Sequence, residues 1–289
     1  MTRWKDEANR AMHVAAGIAF SLVVALSAEG GFAAPEVASR YEARSYTDDE
    51  GETLPYRLFI PDAYDPQTWY PLVIFLHGSA ERGRDNVSQV MYDCVADVLS
   101  RSSVQVTYPS FVLAPQASKD TQWGFYIGNP APADLVVGTI QQLEREFSID
   151  PNRIYLTGSS MGAMGTFYLL GRYPGLFAAA VPIAGGGDPA IARQIIHIPL
   201  WAFHGDHDNF VPISGQVREG LAVYGTRNMI EAMRAVGGTP RYTEMKAYGH
   251  LISCWVLRKT ELFQWLFSQH RARATLARED RKSRAETGK

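Results

Sequence analysis

The chain has 289 residues, a formal net charge of −2 and 46% hydrophobic residues. A charge so close to zero gives no indication of a nucleic acid or an acidic polymer as partner. The length and the apolar content suit a large α/β domain with a substantial hydrophobic core.

The first 33 residues have the order of a secretory signal peptide. Three basic residues precede an apolar run over 14–26, and small residues follow this run through Ala33. The run is too short to span a bilayer comfortably, so we expect no stable membrane span. Cleavage after Ala33 would leave an exported protein, periplasmic or secreted. Asp6 and Glu7 weaken the basic segment, so retention as an uncleaved anchor stays open.

The predicted fold begins with an antiparallel hairpin. Residues 41–46 and 54–60 alternate as strands do, and the acidic stretch 48–51 forms the turn between them. The next strand, over 71–76, is apolar on both faces, which is typical of a central strand in a sheet covered by helices on both sides.

Helices and strands then take turns along the chain. Predicted helices cover 86–101, 133–147, 163–170, 228–235 and 257–267, and the further strands cover 111–115, 153–157, 178–184, 199–204 and 242–247. This alternation predicts a mostly parallel, doubly wound α/β sheet over 41–270. The charged segment 271–289 has few large apolar residues, so we expect it to be disordered.

A serine lies at the corner between a predicted strand and a predicted helix. The pattern G-x-S-x-G spans 158–162 with Ser160 at its centre, and such a corner exposes a serine hydroxyl at the carboxyl end of a strand. The pattern is weak alone, because a serine at a helix start also caps backbone amides. Ser159 would fill that capping role more naturally, so Ser160 is the candidate nucleophile.

Further polar residues follow other strands, where the crevice of an open α/β sheet lies. They are His77, the glycines 185–187, the segment 204–208 and His250. A serine hydroxyl needs a base to accept its proton and an acid to orient that base. The chain order serine, acid, histidine predicts that Ser160, Asp208 and His250 act together.

Several neighbours compete for these roles. Asp206 could orient the histidine instead of Asp208, and their spacing alone does not decide between them. His204 and His207 also follow a strand, although His204 belongs to an apolar run and is more typical of a packed residue. Because no second ligand cluster accompanies these side chains, we predict no metal site.

Backbone N–H groups would complete the site as an oxyanion hole. The residue after the nucleophile, Met161, supplies one N–H, and Ser79, in the loop after the strand 71–76, supplies the other. Trp123 and Tyr126 lie in a long loop and could form an aromatic wall for a substrate. Ordinary packing beneath that loop explains them equally well.

Taken together, these segments resemble the α/β-hydrolase esterases related to polyhydroxybutyrate depolymerase and feruloyl esterase, a group that includes sequences called predicted peptidases. The matching stretches are YPLVIFLHG over 70–78 with ERG over 81–83, DPNRIY over 150–155 leading into GSSMG over 158–162, YP over 173–174 with FAAAVPI over 177–183, GGG over 185–187, HG over 204–205 with Asp208 and VP over 211–212, and GH over 249–250. They cover most of the chain from about 54 to 267.

The resemblance implies an α/β-hydrolase fold and a serine esterase without a cofactor, with Ser160, Asp208 and His250 as its triad. The substrate would be a carboxylic ester, small or linked to a polymer, such as a carbohydrate, feruloyl or short-chain acyl ester. Two departures put the usual substrate in doubt: 214–226 looks like an insertion, and 251–255 is less polar than this family leads us to expect.

Two alternative functions stay open: a serine peptidase with the same triad, and a non-catalytic binding protein on a hydrolase scaffold. The oligomeric state is not predicted. Cys94 and Cys254 are either bridged or two buried thiols. In the fold that the resemblance implies, the helix with Cys94 and the last helix cover the same sheet face, which would allow a bridge.

Overall fold

A computed structural model describes residues 34–124, 132–218 and 221–271. The predicted signal peptide over 1–33, the tail from 272 onward and Tyr126 lie outside these ranges, so their predictions stay untested. In the part of the chain that is described, no helix combines the length and apolar character that a membrane crossing requires.

Ten strands occur in the described residues: β1 (Glu42–Thr47), β2 (Thr53–Phe59), β3 (Tyr70–Leu76), β4 (Phe111–Pro115), β5 (Ile149–Ser159), β6 (Ala179–Ile183), β7 (Trp201–Gly205), β8 (Gln216–Arg218), β9 (Leu221–Val223) and β10 (Arg241–Met245). Eight of them form one sheet in the order β1-β2-β4-β3-β5-β6-β7-β10, and β8 and β9 pair separately. The β1–β2 and β2–β4 pairs are antiparallel and the other pairs in the large sheet are parallel. The predicted α/β sheet with an N-terminal hairpin is therefore confirmed.

The helices of the described residues are α1 (Ala34–Ser39), α2 (Ser88–Met91), α3 (Cys94–Leu99), α4 (Ser102–Gln105), α5 (Pro132–Glu146), α6 (Met161–Arg172), α7 (Ala192–Ile195), α8 (Thr226–Ala235), α9 (Ser253–Val256) and α10 (Thr260–Ser268). They form two hydrophobic cores, one on each face of the sheet. Along β3, Leu72 and Ile74 belong to the core with α5, α6 and α8. Val73 and Phe75 belong to the core with α3, α9 and α10. This double burial explains the continuous apolar run of β3.

The predicted long helix over 86–101 is wrong, because two short helices, α2 and α3, occupy this region and α4 begins only after it. Asp93 accepts a hydrogen bond from the backbone N–H of Val95 at 3.1 Å, and this cap begins a new helix at Cys94. The last helix also begins later than predicted, at Thr260. The segment 214–226, which the sequence marks as an insertion, contains the small β8–β9 hairpin.

A disulfide joins Cys94, at the start of α3, to Cys254 in α9, with the two Cα atoms 5.6 Å apart. Beside it, the Ser253 hydroxyl donates to Asp93 Oδ2 at 3.2 Å. Two adjacent links, one covalent and one polar, therefore tie α9 to α3. Because α9 begins three residues after His250, they anchor the loop that presents this histidine.

Two glycines let α6 lie directly against the central strands. A Cβ added to Gly162 would lie 1.8 Å from the carbonyl oxygen of Leu76, and one added to Gly158 would lie 2.2 Å from the carbonyl oxygen of Gly162. Both contacts are with backbone atoms, so a rotamer change cannot relieve them. The corner between β5 and α6 therefore requires glycine on both sides of the serine.

We predict that Gly162→Ala lowers the free energy of unfolding by about 3 kcal/mol or more, since the new methyl group overlaps the backbone of β3. Gly175→Ala is the matched control, because a Cβ there meets nothing within 4 Å. Urea denaturation of both variants checks the prediction. Equal stability of the two variants would contradict this account of the corner.

Candidate active site

Ser160 occupies the sharp corner between β5 and α6. Its backbone has φ 56° and ψ −116°, which is an unusual conformation for a residue with a side chain. Such strain costs on the order of 1–3 kcal/mol and persists only where surrounding structure enforces it. The Ser160 N–H donates to the carbonyl of Ile183 at 2.9 Å, which ties the corner to β6. The hydroxyl is thereby held at the carboxyl edge of the sheet.

Ser160, Asp208 and His250, which the sequence predicts to act together, lie in hydrogen-bond contact and form a relay. His250 Nε2 is 2.8 Å from Ser160 Oγ, and His250 Nδ1 is 2.6 Å from Asp208 Oδ2. A carboxylate only accepts, so Nδ1 carries a proton and Nε2 of a neutral ring can accept the serine proton. The Asp208 side chain is fully buried, whereas the His250 side chain is 13% exposed. The site thus has a buried acid and a base that solvent reaches.

Asp208 is ionised despite its burial. Burial alone would raise the pKa of its carboxyl group, but hydrogen bonds from His204 and His250 hold this pKa well below its ordinary value. The backbone N–H groups of Phe210 and Val211 also donate to Oδ1, at 2.8 and 2.9 Å. Both oxygens therefore have donors, which fixes the rotamer of the side chain.

The competing residues Asp206 and His207 make other contacts. Asp206 Oδ1 accepts the N–H of Ala247 at 2.7 Å and so stabilises a turn in which Ala247 has φ 61°. His207 contributes its backbone N–H to the carbonyl of Tyr248 at 2.9 Å. Both contacts shape the loop before His250. His204 is fully buried, as its apolar surroundings indicate, but it also contacts Asp208 Oδ2 at 3.0 Å. Nothing in the sequence pattern signals this last contact.

The two predicted oxyanion donors both begin helical turns. Met161 is the first residue of α6, and Ser79 is the first residue of a short 3₁₀ turn, so neither N–H has a partner inside its own helix. The loop with Ser79 lies next to the nucleophile, since a Cβ on Gly78 would be 3.7 Å from Ser160 Cβ. Both N–H groups are therefore near the serine.

His77 holds this loop in place. The N–H of Ala117 donates to His77 Nε2 at 3.0 Å, so the ring proton is on Nδ1, which donates to the carbonyl of Gly78 at 2.6 Å. Burial lowers the pKa of His77 to about 4, which keeps the ring neutral. The Gly78 carbonyl and the Ser79 N–H belong to one planar peptide unit, so fixing the first also aims the second.

Trp123 lies beneath the same loop. It is fully buried, its Nε1–H donates to the carbonyl of His77 at 3.0 Å, and the two rings are 5.0 Å apart. This position favours the packing alternative over direct contact with a substrate.

Exposed apolar side chains instead lie beside His250: the ring of Phe210 is 5.4 Å from its imidazole, and Leu251 is 59% exposed.

A second buried carboxyl group, that of Glu81, lies behind the Ser79 loop. Glu81 is 8% exposed, and its Oε2 has no hydrogen-bond partner among the described residues. Burial, together with the charge of Asp93, raises the pKa of Glu81 to about 7.

Among the residues that the structure describes, no group of three His, Cys, Asp or Glu side chains could hold a metal ion.

Comparison with known proteins finds similarity to esterases over part of this chain. Residues 54–194 match the family model described as esterase PHB depolymerase. A bifunctional acetylxylan esterase/xylanase of Neocallimastix patriciarum is 26% identical over 169 residues, which are 57% of this chain and 23% of that protein. Poly(3-hydroxyalkanoate) depolymerase C of Paucimonas lemoignei is 29% identical over 125 residues, covering 40% of this chain and 28% of that protein.

A crystal structure of a thermostable esterase superposes with a TM-score of 0.74 and 37% identity, over 82% of this chain and 64% of the other. A ferulic acid esterase with 15% identity and a TM-score of 0.56, over 78% of this chain and 97% of its own, shows the fold alone. The chain spans only about a quarter of the length of the two curated relatives. The resemblance predicted from the sequence is confirmed: the chain has the α/β-hydrolase fold and is similar to esterases.

Glu81 gives a prediction about stability and pH. The folded protein keeps the Glu81 proton up to a pKa of about 7, whereas an unfolded chain releases it near 4.5. The free energy of unfolding therefore falls between these two pH values, by on the order of 1–3 kcal/mol. Glu81→Gln stays neutral, so we expect it to be more stable than the wild type by this amount at about pH 8 and nearly equal at about pH 5.

Urea denaturation at the two pH values measures the difference. Glu50→Gln, at an exposed turn position, is the matched control and should show no such dependence on pH. A Glu81→Gln protein that is no more stable than the wild type at the higher pH would contradict the account of a buried carboxyl group with one unpartnered oxygen.

Proposed function

We propose that this chain is a serine carboxylic ester hydrolase that works through an acyl-enzyme, with Ser160 as nucleophile, His250 as general base and acid, and Asp208 as the orienting acid. The observation that carries the proposal is the unbroken hydrogen-bonded relay from Ser160 Oγ through His250 to Asp208 Oδ2. The family match over 54–194 supports the same class of reaction.

In the first half of the reaction, Ser160 Oγ attacks the ester carbonyl while His250 Nε2 accepts its proton. The negative charge that develops on the carbonyl oxygen is stabilised by the N–H groups of Met161 and Ser79. Each such donor typically contributes about 3 kcal/mol in the transition state. His250 then gives its proton to the leaving alcohol, and the acyl group stays on Ser160.

In the second half, water replaces the alcohol. His250 accepts a proton from the water as it attacks the acyl carbon, and the same two N–H groups stabilise the second tetrahedral intermediate. His250 finally returns a proton to Ser160 Oγ as the acid departs. Asp208 remains an anion throughout and stabilises the imidazolium whenever His250 is protonated. No step requires a cofactor.

The names of the relatives suggest the kind of ester. One acts on acetylxylan and another on poly(3-hydroxyalkanoate), and both of these substrates are carboxylic esters of polymers. We propose that this enzyme hydrolyses a carboxylic ester, small or polymer-linked, after export directed by residues 1–33. The exposed apolar side chains beside His250, Phe210 and Leu251, would contact the acyl or alcohol part of the ester.

The proposal predicts that Ser160→Ala lowers the turnover of p-nitrophenyl acetate by at least about 10⁴-fold, because alanine has no hydroxyl group to form the acyl-enzyme. The melting temperature should change little, since alanine only removes the hydroxyl. Ser39→Ala is the control: its exposed hydroxyl donates to the carbonyl of Glu36 in α1, and its activity should equal that of the wild type. Retention of most activity by Ser160→Ala would refute the assignment.

A further inference from the structure

His204 is a buried histidine that the proposed reaction does not use. It lies at the carboxyl end of β7 with its side chain fully buried, and both ring nitrogens have close polar neighbours. A neutral imidazole has one N–H donor and one bare nitrogen that accepts, whereas an imidazolium has two donors. The neighbours of the two nitrogens therefore reveal the charge of the ring.

On one side of the ring, Nε2 faces two acceptors. It lies 2.8 Å from the carbonyl oxygen of Val211 and 3.0 Å from Asp208 Oδ2. A backbone carbonyl has no hydrogen to give, so a bare Nε2 would place two lone pairs against each other at 2.8 Å. This holds even for a protonated Asp208, since the contact with Val211 is unchanged. Nε2 must therefore carry a hydrogen.

On the other side, Nδ1 lies 2.6 Å from Thr226 Oγ1. The threonine hydroxyl has a single hydrogen, and it donates this hydrogen to the carbonyl of Gly185, 2.5 Å away. Thr226 Oγ1 is consequently left as an acceptor toward the histidine. Nδ1 must carry a hydrogen as well.

We propose that His204 is a positively charged imidazolium in the resting enzyme and that it is a positioning residue, which keeps the Asp208 carboxylate ionised and aimed at His250. The inference rests on the proposed function for its catalytic consequence, but the charge of the ring follows from the contacts alone. His204 and His250 approach the same oxygen, Oδ2, at 3.0 and 2.6 Å. The carboxylate thus lies between two rings, and its own side chain and that of His204 are fully buried.

The pairing also explains why two opposite charges are tolerated there. A buried carboxylate or a buried imidazolium alone would lose its hydration without compensation. Together they are neutral, and hydrogen bonds satisfy the other polar atoms. Through Thr226 and the Gly185 carbonyl, the ring also links the acid loop to the start of α8 and to the loop after β6. Motion of Asp208 would break this whole set of contacts.

The charge is measured directly by ¹⁵N NMR of the wild-type protein at about pH 8, where an ordinary histidine is neutral. Long-range ¹H–¹⁵N correlation distinguishes a protonated ring nitrogen from a bare one, and the signal of His204 among the seven histidines is the one lost in His204→Gln. We expect both ring nitrogens of His204 to be protonated. A bare nitrogen on this ring would overturn the proposal.

The positioning role is measured by kinetics on p-nitrophenyl acetate. His204→Phe removes both donors, and we expect kcat to fall about 100-fold with KM nearly unchanged, because a misplaced acid affects the chemical step. His204→Gln restores a neutral donor toward Asp208 and should recover part of this loss. His197→Gln, at an exposed histidine whose Nε2 bonds to the carbonyl of Pro174, is the control and should behave as the wild type.

A double variant separates positioning from a general effect on folding. If His204 acts through Asp208, His204→Gln should add little to the loss of kcat caused by Asp208→Asn. Additive losses, or a fall confined to the melting temperature with kcat unchanged, would overturn the role.

Loss of activity in Ser160→Ala alongside a bare His204 nitrogen would refute this inference and leave the proposed function standing. Full activity in Ser160→Ala would refute the proposed function, whatever the charge of His204.

Discussion

The close approach of α6 to the central strands is the constraint on which the site depends. With no side chain at Gly158 or Gly162, the helix begins against β3 and β5, and the chain turns so sharply that Ser160 takes a strained backbone conformation. The strain is enforced from several directions, including the hydrogen bond from Ser160 to Ile183 in β6. The result is a serine hydroxyl and the first N–H of α6 beside each other at the sheet edge.

Around this corner, two buried acidic groups have opposite pKa shifts. Asp208 has donors on both oxygens, so it stays ionised and can stabilise a positive charge on His250. Glu81 has an oxygen without a partner among the described residues, and its pKa rises to about 7. Hydrogen-bond donors rather than depth of burial decide which carboxyl group is charged. The carboxyl group of Glu81 is therefore only partly ionised at neutral pH. Less negative charge then lies behind the Ser79 loop, near the place where the oxyanion would form.

Much of this arrangement is predictable from the sequence because the ends of the strands are predictable. Ser160, Asp208 and His250 each follow a strand of a parallel sheet, and the carboxyl ends of such strands meet at one edge. The choice between Asp206 and Asp208 was not predictable from spacing, since both follow β7. Only the three-dimensional contacts show that Asp206 bonds to the turn at Ala247 while Asp208 reaches the histidine.

Other features depend on contacts that a local pattern does not encode. The apolar periodicity over 86–101 predicts one helix, but the cap at Asp93 divides the segment, and the disulfide and Ser253 then bind the new helix start to α9. The apolar neighbours of His204 in the sequence predict a core residue, and its side chain is buried as expected. Its acceptor partners include Val211, in the loop after β7, and Thr226, at the start of α8, so no pattern along β7 reveals them.

The central claim is that the strained corner and the relay make Ser160 the nucleophile. The most direct test is to treat the protein with a fluorophosphonate, which reacts with activated serines, and to locate the adduct by mass spectrometry of the peptides. The account predicts one adduct per chain, on Ser160, and none on the adjacent Ser159. An adduct on another residue, or an unmodified protein, would contradict it.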